Sequence, residues 1–269
     1  MLNVKQIQDL FEEIALPCDN GQTSPKVEAV LKWFGDREIS CTYIPGTGII
    51  VNQQPQPRVV MISHIDLVST FVKGFAENKS FKIEVVNERE LIVGALDNTL
   101  TNAIGMLVIE EILDKNPLAN IEFVLTEYEE CGLIGVSNYL ETNKDRVNDS
   151  FFVNLDVTND GYGSIASIEY DKPNLYVLND VKSLLKDLDV HIQPTRFTDD
   201  TSAIVSKGFS GFSYCIPTDN YCHSYDSTAY VDTLVPYSEG LTFLLSNLFK
   251  PKGYEIMSRK EVSENFFID

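Results

Sequence analysis

Two adjacent glutamates, Glu129 and Glu130, close the run "VLTEYEE" and are followed by "CG". Adjacent like charges repel, and a carboxylate beside a buried strand end is costly without a cation nearby. The pair therefore belongs either to a solvated loop or to a metal site. Other apolar runs end in similar chemistry: "MISHID" in His64 and Asp66, "FVNLD" in Asp156, and "GFSYCIPTDNYCHS" beyond its strand in His223. Asp97, in "GALDN", adds a further carboxylate. Two imidazoles and three carboxylates would suit a pair of zinc-like ions, with one carboxylate bridging both. Ions about 3.5–4 Å apart can clamp a water and a carbonyl oxygen together. Asp66 lies two residues after His64, so on a strand it shares that face and can accept the ring N–H, fixing the tautomer. Each stretch alone has a plainer reading, such as a surface glutamate pair or an Asp-Asn turn. Their order and placement together favour a site.

The elements that must position these residues follow from periodicity. Helices are expected over 4–15 and 24–34, the second opened by Ser24–Pro25. "RVVMISHID" reads as a buried strand, and "FKIEVVNERELIVGA" as a hairpin turning near Asn87 and Glu88. Next come "TNAIGMLVIEEILDK" (helix), "IEFVLTE" (strand), "LIGVSNYLE" (helix) and "FFVNLDV" (strand). "DVKSLLKDL" and "TSAIVSKG" read as helices, "GFSYCIP" as a strand and "PYSEGLTFLLSNLF" as a helix. Strands alternating with helices imply crossovers, hence a three-layer α/β sandwich around a mostly parallel sheet. In such sheets ligands sit beyond the carboxyl ends of the strands. No linker or repeat divides the chain, so a single domain over 1–269 is expected.

Asp and Glu number 40 against 21 Lys and Arg, a formal charge of −19. That argues against nucleic acid or an anionic membrane as partner and suits a cationic ligand. No apolar run approaches the roughly 20 residues of a membrane span. The N-terminal stretch reads as an amphipathic helix, and a cytoplasmic location is expected. Cys18, Cys41, Cys131, Cys215 and Cys222 are odd in number and form no C-x-x-C pair, which argues against a disulfide framework or a cysteine-based zinc site. Cys131 and Cys222 are expected as small buried fillers.

The order "SHID", "GALDN", "EECG", "LDVT" and "YCHS" resembles that of the co-catalytic di-zinc aminopeptidases, a superfamily that includes the glutamyl/deblocking and bacterial leucyl aminopeptidases and the acetylornithine deacetylases. "TEYEECGLIGV" and "TDDTSAIVSKGFSGFSYCIPTDNYCHS" are most similar to the glutamyl/deblocking type, and the resemblance runs to about Leu234. It implies that Asp97 bridges two divalent ions, with His64 and Asp156 at one and Glu130 and His223 at the other. The implied ions are zinc, with cobalt or manganese able to substitute. It further implies that Glu129 is the general base, that Asp66 supports catalysis, and that the Asp97–Asn98 peptide is cis. The implied reaction is amide hydrolysis, removing the N-terminal residue of a peptide. Deacylation of an N-acyl amino acid uses the same ligands and would want an arginine clamp, for which Arg196 is the candidate; a catalytically silent binding protein is the third reading. Only 67–96 separate Asp66 from Asp97, so the second domain inserted there in the glutamyl/deblocking type is not expected, and its large tetrahedral assembly is not implied. Asp199 and Asp200 are expected to cap a helix or support His223, Tyr221 and Tyr225 to pack, Asp226 and Asp232 to be structural, and His191 to lie outside the site.

Overall fold

The computed structural model describes residues 2–18, 24–67, 82–171, 177–196 and 198–248. Phe81, where the expected hairpin begins, lies outside them, as does 249–269 of the expected single domain. Helices α1 (Val4–Ile14) and α2 (Pro25–Gly35) come first, then β1 (Cys41–Ile44), β2 (Gly48–Val51) and β3 (Val59–His64). The hairpin β4 (Lys82–Val86) and β5 (Arg89–Gly94) leads to α3 (Thr99–Lys115). Then follow β6 (Ile121–Thr126), α4 (Ile134–Val147), β7 (Phe151–Thr158), β8 (Ala166–Tyr170), α5 (Val177–Leu184) and β9 (Val190–Pro194). The chain continues through α6 (Asp200–Ser206), β10 (Ser210–Pro217) and β11 (Ser227–Tyr230) to α7 (Val231–Asn247).

Eight strands form one sheet in the order β1-β2-β6-β3-β7-β10-β8-β9. Its centre, β6-β3-β7-β10, is parallel throughout. These four strands are buried along nearly their whole length, because helices cover both faces and neither row of side chains meets water. Alternate residues serve opposite layers: Val59 and Met61 join the core under α1, α3 and α7, while Val60 and Ile62 join the core under α4 and α6. Gly105 lets α3 lie close against the sheet, since a Cβ there would come within 2.9 Å of the Phe123 ring. The expected three-layer α/β sandwich is what the chain forms.

Several elements differ from the sequence reading. The hairpin turns at Asn87 and Glu88, both at positive φ as a tight two-residue turn requires, but it belongs to a separate three-stranded sheet, β11-β5-β4. The edges of the main sheet, β1, β2, β8 and β9, were not anticipated, nor was β11. The helix expected to open at Pro236 opens at Val231, because burial of Val231 and Leu234 outweighs the one bond that Pro236 cannot donate. The strand before the paired glutamates ends at Thr126, so Glu129 and Glu130 stand in the turn beyond it.

Beneath β6 a polar group is paired rather than omitted. Glu122 is fully buried, and its carboxylate accepts from both ends of the Arg146 guanidinium (2.5 and 2.8 Å) and from the Tyr139 hydroxyl (2.5 Å). Removing the cation leaves a buried carboxylate short of its partner, at a cost of about 3 kcal/mol. Arg146→Met is therefore expected to lower unfolding free energy by roughly that amount in urea titration, while Lys207→Met, which loses only the pair with exposed Glu141, changes it by less than about 1 kcal/mol.

Candidate active site

The sequence-expected residues come together at the carboxyl edge of the parallel strands. His64 is the last residue of β3, and Asp156 lies near the end of its neighbour β7. Asp97 occupies the joint between β5 and α3, and the Asp97–Asn98 peptide is cis, as the resemblance implied. Asn98 anchors this joint to the sheet: its side-chain amide donates to Ser63 Oγ on β3 (3.1 Å) and to the Leu155 carbonyl on β7 (2.8 Å). His223 enters from the loop between β10 and β11.

Asp97 is the centre of the arrangement. Its Oδ1 lies 3.0 Å from His64 Nε2, and its Oδ2 lies 3.0 Å from His223 Nε2. Each imidazole also faces a second carboxylate: Asp156 Oδ1 is 3.7 Å from His64 Nε2, and Glu130 Oε1 is 3.3 Å from His223 Nε2. The two sets share Asp97, with one imidazole and one further carboxylate on each side.

The turn after β6 directs the two glutamates. Asp66 is fully buried, and its two carboxylate oxygens accept the amide N–H groups of Glu129 (3.2 Å) and Glu130 (3.3 Å). Its contact with His64 is looser than the sequence suggested, because β3 ends before Asp66. His64 Nδ1 lies 3.2 Å from the Asp66 carbonyl and 3.5 Å from its carboxylate. Upstream, Glu127 is buried and accepts from the Tyr43 hydroxyl (2.9 and 3.0 Å) and the Gly46 amide (3.3 Å). The same turn passes so close to the start of α4 that a Cβ on Gly135 would fall 2.2 Å from the Glu127 carbonyl oxygen.

The electrostatics describe a site that demands positive charge. Burial pushes Glu129 up to about 10, with the charges of Asp156, Asp200 and Glu130 adding to it and His64 offsetting part. Burial likewise raises Asp156 to about 7. Burial would lower His64, but Asp156, Asp66 and Asp97 override it and hold the imidazole well above its usual range. Hydrogen bonds to Asp97 and Glu130 raise His223 to about 12. Burial would raise Asp97 too, yet the two imidazoles keep it below the usual carboxylate range.

The donor set fits divalent metal. Asp97 Oδ1 is buried and accepts no hydrogen bond among the described residues, although His64 Nε2 is 3.0 Å away. Two lone pairs that converge without a hydrogen bond are what an ion between them would satisfy. Two ligands of a tetrahedral zinc lie about 3.4 Å apart, in the middle of the separations given above. His64, Asp97 and Asp156 offer ligand atoms within 4.8 Å of one another.

Residues outside the expected set also matter. Cys222 is not a buried filler turned elsewhere: it is half-buried, lines the site cavity and offers its Sγ within 4.8 Å of ligand atoms of Asp97 and His223. Cys131 is exposed, because the turn that carries it stands clear of the core. Tyr221, expected to pack, is 64% exposed, and its hydroxyl lies 3.1 Å from His223 Nδ1. Lys26 is fully buried behind the site and donates to Thr99 Oγ1 (3.0 Å); burial lowers it to about 8. Nothing in a lysine at the first turn of an amphipathic helix signals that placement. Asp199 caps α6 through the Ser202 amide (3.0 Å), and Asp200 accepts from Thr126 Oγ1 (2.7 Å) on the His64 side, not beside His223. Asp232 pairs with Arg89 (3.0 and 2.6 Å), Asp226 offers its carbonyl to Asn220, and His191 faces Gln193 outside the cluster of expected residues.

A cavity of about 480 Å³ opens over these groups. Among the described residues no helix is long and apolar enough to cross a membrane.

A sequence model of peptidase family M28 matches residues 47–235. No curated protein matches the chain in sequence. Among solved structures, the Pyrococcus horikoshii TET1 peptidase, which can assemble into a tetrahedron or a large octahedral shell, superposes with a TM-score of 0.71 at 14% identity, covering 90% of this chain and 100% of its own. Aminopeptidase APDkam598 from the archaeon Desulfurococcus kamchatkensis gives 0.69 at 13% identity, covering 92% and 96%. Aminopeptidase PepT from Bacillus cereus gives 0.66 at 10% identity, covering 91% and 98%. At these identities the likeness is one of fold. The sequence match spans well over half of the chain, which belongs to peptidase family M28, a family of metal-dependent peptidases.

Proposed function

We propose that the chain is an aminopeptidase working through a two-zinc centre. Asp97 would bridge the ions, His64 and Asp156 would complete one site, and Glu130 and His223 the other. The observation that carries this reading is the placement of the two Asp97 oxygens, each 3.0 Å from a different imidazole. Cobalt or manganese suits the same donors. When bound, the ions supply Lewis acidity for the scissile carbonyl and lower the pKa of water toward neutrality.

The chain's own groups then divide the work. Glu129 lines the cavity within 4.8 Å of ligand atoms of His64 and Glu130 and acts as general base, taking a proton from the attacking water and delivering it to the leaving amine. Cations beside it would favour its charged form, which burial disfavours. Asp66 is a positioning residue: it holds the amides of both glutamates and so sets where their side chains point. Tyr221 supports the His223 ring from the solvent side, its hydroxyl 3.1 Å from Nδ1. Excess carboxylate in the cavity favours a substrate with a free α-ammonium, hence an exopeptidase acting on peptides. Arg196 is engaged with Asp160 (3.2 Å), which leaves an N-acyl amino-acid deacylase without a free clamp for its substrate's carboxylate. All five ligand positions and the base are filled, which speaks against a silent binding protein. A single catalytic domain over 1–269 is supported by the eight-stranded sheet, whose strands run from Cys41 to Pro217, and a cytoplasmic location by the free thiols of Cys41, Cys131, Cys215 and Cys222.

Metal analysis by mass spectrometry on chelator-free protein is expected to give two ions per chain, and fewer in both Glu130→Ala and His223→Ala. No metal even after zinc addition would leave a fold without its chemistry. Glu129→Gln is expected to keep its metal and lose roughly 10²–10⁴-fold in kcat on peptide substrates; unchanged turnover removes Glu129 from the mechanism. Tyr221→Phe is expected to weaken binding of one of the two ions by about 10–100-fold in a chelator competition, with the other unaffected.

A further inference from the structure

The cavity over Asp97 and Glu129 has a second end. Its wall continues past Thr158 and Asp160 to Glu169 and Arg196, none of which belongs to the proposed ligand set. Glu169 lies on β8, separated from the strand of Asp156 by β10, which places it two strand spacings, roughly 10 Å, across the sheet. It is only 7% exposed, yet its carboxylate is half satisfied. Oε1 accepts from Thr158 Oγ1 (2.6 Å) and Gln193 Nε2 (3.2 Å). Oε2 accepts nothing among the described residues, and the side chain lines the cavity.

The charges around it are unbalanced. Asp160 and Asp199 line the same end, and the facing cation, Arg196, is already paired with Asp160. Burial raises Glu169, with Asp199 and Asp160 adding to the rise, and its two hydrogen bonds offset only part. A carboxylate oxygen that meets the cavity without a protein partner is a ready acceptor for the N–H donors of a cationic ligand.

We propose that Glu169 selects a cationic side chain, so that a substrate whose N-terminal residue is lysine or arginine sets its charged end against Glu169 Oε2 while its first peptide bond lies over Asp97 and Glu129. The inference rests on the aminopeptidase reading and adds the substrate class. The substrate's α-ammonium cannot be the occupant, because its nitrogen is two bonds from the scissile carbon and stays at the metal end. A long flexible stem tipped with a charge spans the distance. An apolar side chain would bury Oε2 without a partner, and an acidic one would meet like charge.

The test compares lysyl, norleucyl and glutamyl p-nitroanilides on zinc-supplemented wild type and on Glu169→Gln, with circular dichroism to confirm folding. Norleucine keeps the apolar stem and removes the charge. Wild type is expected to prefer lysine over norleucine by about 10-fold or more in kcat/KM, as a hydrogen bond to a charged group implies, with glutamate poorest. In Glu169→Gln the lysine-to-norleucine ratio is expected to fall toward one. Wild type that cleaves norleucine as well as lysine, or a folded Glu169→Gln that keeps the ratio, overturns the assignment and leaves the aminopeptidase reading standing. No cleavage of any of the three overturns the aminopeptidase reading, and this inference with it.

Discussion

The structure is organised around one carboxylate shared by two imidazoles. Asp97 is buried, and each of its oxygens faces a different histidine from a different part of the chain. A charge so placed is tolerable only in a fixed geometry. The fold fixes it through Asn98, whose amide ties the joint to β3 and β7 at once, and through Ser63, whose hydroxyl donates to Asn102 Oδ1 (2.7 Å) on the first turns of α3. Lys26 braces the same joint from behind through Thr99. The cores on both faces of the sheet hold those anchors in register.

The turn after β6 gives neighbouring like charges different partners. Three carboxylates within four residues are each given a different environment. Glu127 is turned inward to Tyr43 and Gly46, Glu130 toward His223, and Glu129 into the cavity. Asp66 organises the last two by accepting their backbone amides instead of competing for their side chains. Positive φ at Tyr128, Gly132 and Leu133 makes the bend tight enough for α4 to begin at once. The repulsion between the adjacent glutamates is not fully relieved by this geometry, since the Glu130 charge still raises Glu129.

How much of this was legible in the sequence follows from physical range. The central strands and α3 announce themselves because burial on both faces leaves unbroken apolar runs, and the hairpin because Asn87 and Glu88 sit where φ must turn positive. The residues that cluster around Asp97 were legible through their order along the chain. The four-residue strands β1 and β2 are too short to show a period, and the five-residue strands β8 and β9 mix polar with apolar residues and leave no unbroken apolar run. Lys26, Glu127 and Glu169 went unread for a related reason. A charged side chain looks solvated until the partners that bury it are known, and theirs are supplied by other elements. Asp66 was read as a partner of the His64 ring, since local spacing shows the nearest group and not the turn that folds over it.

The small sheet sets the distance between the two halves of the centre. Its ladder pairs Gly94 of β5 with Ser227 of β11, antiparallel. Three residues on from Gly94 is Asp97, and three back from Ser227 is Ser224, the neighbour of His223. The same register, extended past its last rung, therefore brings Asp97 and His223 side by side, and a slip of one residue would turn both away. The strands it joins are more than a hundred residues apart in sequence. Pairing them closes one of the longest loops in the chain, which belongs among the slowest contacts to form. The newly made chain is thus expected to acquire most of its sheet first and the approach of Asp97 to His223 last, so that the proposed metal centre would be completed only as folding ends.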